Sequence, residues 1–315
     1  MTADLEKNPA ALKKQATYDA VEIGREITRE FHCTPHACRA YRFAAEDDGL
    51  LFDPLRNPAA YVPPGAIIAE LFVLFLQAYD HAKTTVIHQR EEVWCVKPVP
   101  VGAVLRFSGR FVSKYVKREK GYTVFDAEAY DESGDVVIRQ RSVFMMPAAP
   151  GTETQPGMEI PESVRVAGAI PEGAAFAEKA CATLEPSTAL PSMTKVARQD
   201  QIAVFSGIAG HRYSIHTSLE KAQSVGFARC VLAGVQETCW KLEYAISFFG
   251  ESFLRNGYVL STYMTPVLTD DVVSCHGLVI GKEKDAAGKT RLTLEVWLEN
   301  EEKKKTALGI LSSLI

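Results

Sequence analysis

The sequence predicts an α+β fold in which one unit, a long helix followed by antiparallel strands, occurs twice in tandem. A shared spacing carries this prediction, because eleven residues separate Pro98 from Gly109 and also Pro266 from Gly277, an offset of 168 positions between the copies. An apolar helix-like stretch precedes each of these segments, and alternating strand-like patterns follow it. Two unrelated α+β domains with a coincidental spacing are the alternative.

The first copy is predicted to begin with a helix over residues 65–82, which are apolar nearly throughout. Alternating side chains, rich in β-branched and aromatic types, predict the strands that follow. These strands cover residues 86–96, 103–115, 122–131 and 136–146.

The second copy repeats this order with a helix predicted over residues 234–250. Its predicted strands cover residues 257–264, 272–283, 290–300 and 304–314. Proline and glycine are frequent between the copies, in residues 147–176, which indicates a linker that wraps a surface. We therefore divide the chain into a first unit (1–150), a linker (151–180) and a second unit (181–315).

Composition excludes several classes of protein. The 315 residues are 47% hydrophobic and carry a formal net charge of −4, so the basic surface of a nucleic-acid-binding protein is not expected. The most apolar stretch, residues 65–78, is too short to span a bilayer and contains Glu70, and the N-terminus does not resemble a signal peptide. We expect a cytoplasmic protein that is not bound to a membrane.

The cysteines and the missing motifs also restrict the function. Seven cysteines, an odd number without a CxxC pair, indicate reduced thiols and neither a disulfide framework nor a metal site. Nucleotide-binding, serine-hydrolase and zinc-protease motifs do not occur in the sequence. We expect neither a cofactor nor a metal.

Residues 206–236, SGIAGHRYSIHTSLEKAQSVGFARCVLAGVQ, contain the most specific pattern. The pattern resembles the hydratase motif of the MaoC-like family, the (R)-specific enoyl-CoA hydratases and acyl dehydratases of the double hotdog type. Gly210 falls on the motif glycine, His216 on the motif histidine, and Gly226-Phe227 on the downstream Gly-Phe. Residues 44–67 resemble the degenerate first half of such proteins. The resemblance implies a double hotdog fold, in which a sheet wraps each long helix, with a vestigial site in the first unit.

The resemblance also implies the roles of individual residues. In that family an aspartate and a histidine hold a water molecule, and a backbone N–H at the helix start polarises the thioester carbonyl. Here His211 stands where the family has the aspartate, so His216 and His211 become the candidate catalytic side chains and Gly234 the candidate N–H donor. A histidine can still act as a general base near neutral pH. The candidate substrate-binding residues are Tyr213, Ser214, Arg212, Ala233 and Val235.

The expected reaction is hydration of an enoyl thioester or the reverse dehydration, which makes the protein a hydro-lyase. Its expected partner is an acyl-CoA, or else an acyl carrier protein thioester, and the family is compatible with a homodimer. The small residues Gly65, Ala66 and Ala69 leave room for a bulky or unusual acyl group. Glu237 and Glu70 are alternative acid/base residues, which would suit an acyl-CoA thioesterase. An inactive acyl-thioester-binding protein is a further alternative, because the motif aspartate is replaced.

Overall fold

The structure, a computed structural model, describes residues 14–80, 86–154, 157–208 and 213–315. The helices are α1 (Pro35–Ala45), α2 (Pro64–Phe72), α3 (Gln199–Ile208), α4 (Leu219–Ser224), α5 (Gly234–Phe249) and α6 (Phe253–Asn256). The strands are β1 (Ile27–His32), β2 (Ile87–Cys95), β3 (Val104–Lys117), β4 (Lys120–Tyr130), β5 (Val136–Met146), β6 (Met193–Val196), β7 (Tyr258–Tyr263), β8 (Val272–Lys284), β9 (Thr290–Asn300) and β10 (Lys305–Leu314).

Over the described ranges these strands form a single antiparallel sheet in the order β1-β3-β4-β5-β2-β7-β10-β9-β8-β6. The five strands of the first unit fill one half of the sheet, and those of the second unit fill the other half in mirrored order. The halves join where β2 pairs with β7, from Arg90 opposite Thr262 to Trp94 opposite Tyr258. We call this pair of strands the seam. The predicted duplication is therefore visible in the strand order itself.

Helices α2 and α5 pack on one face of the sheet and touch each other, with the Cys239 thiol of α5 donating to the Gly65 carbonyl of α2 at 3.7 Å. Side chains alternate along the strands, so that Leu105, Phe107 and Phe111 of β3 enter the core beneath the helices. Burial of such apolar side chains is the main force that holds a helix on a sheet.

The first-unit helix is shorter than the prediction for residues 65–82. The α-helix ends at Phe72 and continues as a 3₁₀ turn over Leu74–Gln77. The tighter turn lets the Phe75 ring pack 5.1 Å from Phe144 and 5.9 Å from Phe111, between centroids. Unbroken apolar sequence cannot reveal such a change of helix type, and residues 81–82 lie outside the described ranges.

The segment between the units crosses the face of the sheet opposite the helices. Glu159 accepts a hydrogen bond from the Ser113 hydroxyl through its carbonyl, and the Ala167 N–H donates to the Glu295 carboxylate. The described helices include none that is long and apolar enough to cross a membrane.

Candidate functional site

The motif loop, which we define as residues 213–217, lies beside the chain that leads into α5. Val231 donates its N–H to the Ile215 carbonyl at 3.1 Å and accepts from His216 through its own carbonyl. Val231 precedes Gly234, the first residue of α5, by three positions. The histidine of the motif and the start of the long helix are therefore brought together by two hydrogen bonds between the turn of the motif loop and Val231.

The bond from His216 to Val231 determines which ring nitrogen carries the proton. His216 Nδ1 lies 2.7 Å from the Val231 carbonyl oxygen, which can only accept, so Nδ1 is the donor. In the neutral ring Nε2 then carries the lone pair. Burial, opposed by the bond to Val231, lowers the pKa of His216 below its ordinary value of 6.5, which favours this neutral form. His216 is thus prepared to accept a proton at Nε2.

The backbone of His216 is fixed from α3. The Gln199 side-chain amide donates to the His216 carbonyl at 3.1 Å, and its Oε1 accepts from the Thr269 hydroxyl at 2.8 Å. Ser214 supports the same loop, because its hydroxyl accepts from the His216 N–H at 3.2 Å. These bonds hold the imidazole on a rigid support.

The start of α5 provides backbone donors. The N-terminal N–H groups of a helix have no acceptor within the helix, and Ala233, the N-cap residue, makes no side-chain cap bond. The Tyr263 ring covers the Cα of Gly234, since a Cβ placed there would lie 3.3 Å from three ring carbons. The Tyr263 hydroxyl and the Thr238 hydroxyl are 2.6 Å apart. This end of the helix can polarise a carbonyl that approaches its N–H groups.

The remaining predicted residues have different surroundings. Tyr213 is 59% exposed, with the Lys221 ammonium 5.2 Å from its ring centroid, while Val235 is fully buried in the core. Ala233 is buried at the helix cap. His211 and Arg212 lie outside the described residues.

The fold places this chain among known proteins. No family model matches the sequence, and no curated protein matches it. A MaoC-like dehydratase superimposes with a TM-score of 0.73 at 13% identity, covering 94% of this chain and 99% of the other. The chain has the double hotdog fold of the MaoC-like dehydratases.

Two further solved structures agree. A MaoC-like dehydratase from Phytophthora capsici has a TM-score of 0.69 at 14% identity and covers 95% of this chain and 98% of its own. A Mycobacterium tuberculosis protein with a double hotdog fold has a TM-score of 0.66 at 13% identity, covering 96% and 98%. At such identities the likeness establishes the fold and nothing further.

The equivalent helix start in the first hotdog unit is covered by a different side chain. A Cβ on Gly65 would come within 1.8 Å of the Tyr41 hydroxyl oxygen, so the Tyr41 side chain lies directly over the beginning of α2. Tyr41 is only 2% exposed. The two helix starts of this double hotdog are thus chemically different.

Glu237 lies one turn into α5 and is entirely enclosed. Its side chain shares the interior with Lys241, whose ammonium donates to the Ser261 hydroxyl and to the Leu308 carbonyl, each at 3.2 Å. Burial raises the pKa of Glu237, and the nearby Thr306 hydroxyl and the Lys241 charge oppose this rise. Glu237 Oε1 has no hydrogen-bond partner among the described residues.

Glu70, the other alternative acid/base residue, is engaged elsewhere. Its carboxylate forms an ion pair with the Arg29 guanidinium of β1. Burial raises the pKa of Glu70, and the charge and hydrogen bond of Arg29 counteract the rise. The ion pair occupies this carboxylate.

An open groove of about 500 Å³ lies on the outer face of the first half of the sheet. No residue of the motif loop or of α5 lines it. Two of the arginines that line it pair with carboxylates that also line it, Arg141 with Asp126 and Arg139 with Glu128.

Sequence reasoning missed a polar pair near the helix start. His88 Nε2 lies 2.6 Å from Glu91 Oε2 on β2, and the His88 ring packs 4.6 Å from the Tyr263 ring, between centroids. Three residues apart on a regular strand, His88 and Glu91 would face opposite sides of the sheet. A bulge between His88 and Arg90 puts both on the helix face. The sequence offers no clear signal for that bulge.

Proposed function

We propose that this double hotdog protein hydrates an enoyl thioester, or dehydrates the corresponding 3-hydroxyacyl thioester, at the start of α5. One observation carries the proposal: His216 donates from Nδ1 to Val231, three residues before a helix start whose N-cap makes no side-chain hydrogen bond. Adding water to a conjugated thioester requires at least a general base for the water and a hydrogen-bond donor that polarises the thioester carbonyl.

In the proposed hydration the thioester oxygen accepts a hydrogen bond from the first-turn N–H groups near Gly234. The carbonyl polarisation draws electrons from the conjugated double bond, so that the β-carbon becomes electrophilic. His216 Nε2 takes one proton from a water molecule while the water oxygen bonds to the β-carbon. The resulting enolate takes a proton at the α-carbon from a second acid, and the proton held by His216 passes to solvent. His211, which replaces the motif aspartate, stays a candidate for a second group at this water, as the sequence suggests.

The thioester is proposed to be a CoA ester in preference to a carrier-protein ester. The buried Tyr41 side chain over the first-unit helix start supports a single productive site in the second unit, with the acyl chain directed toward the first-unit helix. The small residues at the start of that helix, Gly65, Ala66 and Ala69, do not add support for a bulky acyl group, because they are buried and Tyr41 fills the space over Gly65.

A thioesterase is the second candidate because of Glu237. A buried carboxylate with a raised pKa and one unpartnered oxygen could activate water for attack on the thioester carbonyl. Glu237 also lies in the field of the buried Lys241 charge, however, and this attraction is a structural reason for a carboxylate at that place.

A single experiment separates these functions. The protein is incubated with crotonyl-CoA and with a cinnamoyl- or branched enoyl-CoA, and both the conjugated-enoyl absorbance and free thiol are followed, with His216→Asn and Glu237→Gln as matched variants. Loss of enoyl absorbance without thiol, abolished in His216→Asn, supports the hydratase. Release of thiol, abolished in Glu237→Gln, supports the thioesterase and contradicts the hydratase. Saturable binding without turnover contradicts both and indicates an acyl-thioester-binding protein.

A further inference from the structure

The seam of the double hotdog contains a buried histidine–carboxylate pair that the proposed reaction has not used. The His88 side chain is 8% exposed, and the Glu91 side chain is entirely buried. His88 Nε2 is within 2.6 Å of Glu91 Oε2 and 3.0 Å of the Arg90 carbonyl oxygen. Both neighbours are acceptors, so Nε2 carries the proton and Nδ1 is the nitrogen that can gain or lose one.

Glu91 is itself held in place from the neighbouring strand. Its Oε2 accepts a hydrogen bond from the Ser142 hydroxyl of β5 at 2.9 Å. A carboxylate fixed in this way orients the imidazole and stabilises it when it becomes cationic, as in other acid/base pairs. By contrast, His88 Nδ1 is buried and has no hydrogen-bond partner among the described residues.

His88 lies at the end of the seam where α5 begins. The Tyr263 ring contacts His88 on one side, with 4.6 Å between centroids, and covers Gly234 on another. The Phe72 ring, at the end of α2, lies 4.6 Å from His88 and Phe144 lies 5.5 Å away, again between centroids. The imidazole thus stands in an apolar wall that the first unit contributes beside the helix start of the second unit. An acyl chain that extends from Gly234 toward α2 would run along this wall.

We propose that His88, oriented by Glu91, is a second catalytic residue that exchanges the proton at the α-carbon of the bound acyl thioester. The inference rests on the proposed function in that it uses the same helix start to hold the thioester. In hydration His216 takes one proton from water as the water oxygen bonds to the β-carbon, and protonated Nδ1 of His88 gives one proton to the α-carbon. Solvent exchange then returns His216 and His88 to their starting protonation states. In dehydration the same steps run in reverse, and Nδ1 removes the α-proton.

The competing explanation is that the pair only stabilises the seam, and the chain offers a matched control for it. At the opposite end of the seam, the Tyr258 hydroxyl of β7 donates to Glu92 Oε2 at 2.7 Å. Tyr258→Phe removes one carboxylate-bound partner from the seam without touching the wall near Gly234. His88→Gln keeps an N–H that can reach Glu91 but has no counterpart of Nδ1.

The test measures proton exchange without turnover. Butyryl-CoA and hydrocinnamoyl-CoA have an α-carbon but no double bond, so they can exchange α-protons with D₂O and cannot be hydrated. We expect the full-length protein to catalyse this exchange, as followed by ¹H NMR. His88→Gln should lose at least a hundredfold of the rate, while Tyr258→Phe keeps it within about threefold. If His88→Gln does not fold, Glu91→Gln serves instead, with an expected tenfold loss at unchanged KM.

The outcomes separate this inference from the proposed function. Exchange that depends on His88, in a protein that hydrates no enoyl-CoA, supports the inference while the hydratase proposal fails. Hydration by a protein that exchanges no α-proton, or whose exchange survives His88→Gln, overturns the inference and leaves the hydratase proposal standing. Equal losses in His88→Gln and Tyr258→Phe also overturn it, because they indicate a structural role.

Discussion

His216→Asn should separate catalysis from stability. The asparagine amide occupies about the position of Nδ1, so it can still donate to the Val231 carbonyl oxygen, which lies 2.7 Å from Nδ1. It lacks any counterpart of Nε2. We therefore expect the free energy of unfolding to stay within about 1 kcal/mol of the wild type, the net value of one hydrogen bond. Activity should fall by about 10²–10⁴, the usual contribution of a general base, which corresponds to about 3–5 kcal/mol of transition-state stabilisation.

His216→Ala is the comparison that completes the experiment. It removes the donor and leaves the carbonyl of the buried Val231 unpaired, which should cost about 1–3 kcal/mol of stability in addition to the lost activity. Activity is measured on the enoyl-CoA that the wild type hydrates best, and stability by urea unfolding. If His216→Asn unfolds like the wild type and keeps activity within threefold, His216 is a structural residue and the site assignment is wrong.

Three further predictions concern pH and packing. Because burial lowers the pKa of His216 below 6.5, the acid limb of kcat/KM against pH should have its midpoint below 6.5. The stability that the neutral ring contributes should be complete above pH 6.5 and should decline as the pH falls toward the folded-state pKa. A kinetic midpoint above about 7 would contradict this. Gly65→Ala should destabilise the fold by about 1–3 kcal/mol in urea unfolding, because Tyr41 would have to move, and it should leave kcat/KM within threefold of the wild type. A large loss of kcat/KM would mean that the first-unit helix start takes part in catalysis. Lys241→Met should cost about 3–5 kcal/mol by removing the buried positive charge that acts on Glu237, and adding Glu237→Leu should recover part of that loss. A single variant as stable as the wild type would show that the two buried charges contribute nothing to stability.

The strands could be predicted closely because each has one face toward the helices and so alternates in sequence. The prediction for residues 136–146 matches β5, and that for 290–300 matches β9. The edge strands β1 and β6 were missed, since they are short and only partly buried. Helix α1 was missed as well, although Thr34 caps it by accepting from the Ala37 N–H at 3.1 Å and Pro35 follows, which is a recognisable start signal.

The candidate site was predictable only where chemistry follows the order of the chain. His216 and Gly234 belong to one continuous motif, so the sequence could place them together before the structure showed how Val231 connects them. The partners contributed by other strands could not be found this way. Tyr263 reaches the helix start from β7, and His88 reaches it only because a bulge reverses the face on which it lies.

The duplication explains how one site can form from unequal halves. β2 and β7 run antiparallel, and Glu91 faces Ser261 near the middle of the seam. Residues related by the repeat therefore lie at opposite ends of the seam. A residue that changes in one copy therefore alters one end of the seam and leaves the other intact. At one end Tyr41 closes the helix start of the first unit; at the other, Tyr263 and His88 border the helix start of the second unit. In a symmetric dimer of identical units a bulky tyrosine over the helix start would close both sites at once. Fusion of the two units removes that constraint, so the first unit can give up its own helix start and supply a wall, and by our proposal a proton-carrying histidine, to the site of the second.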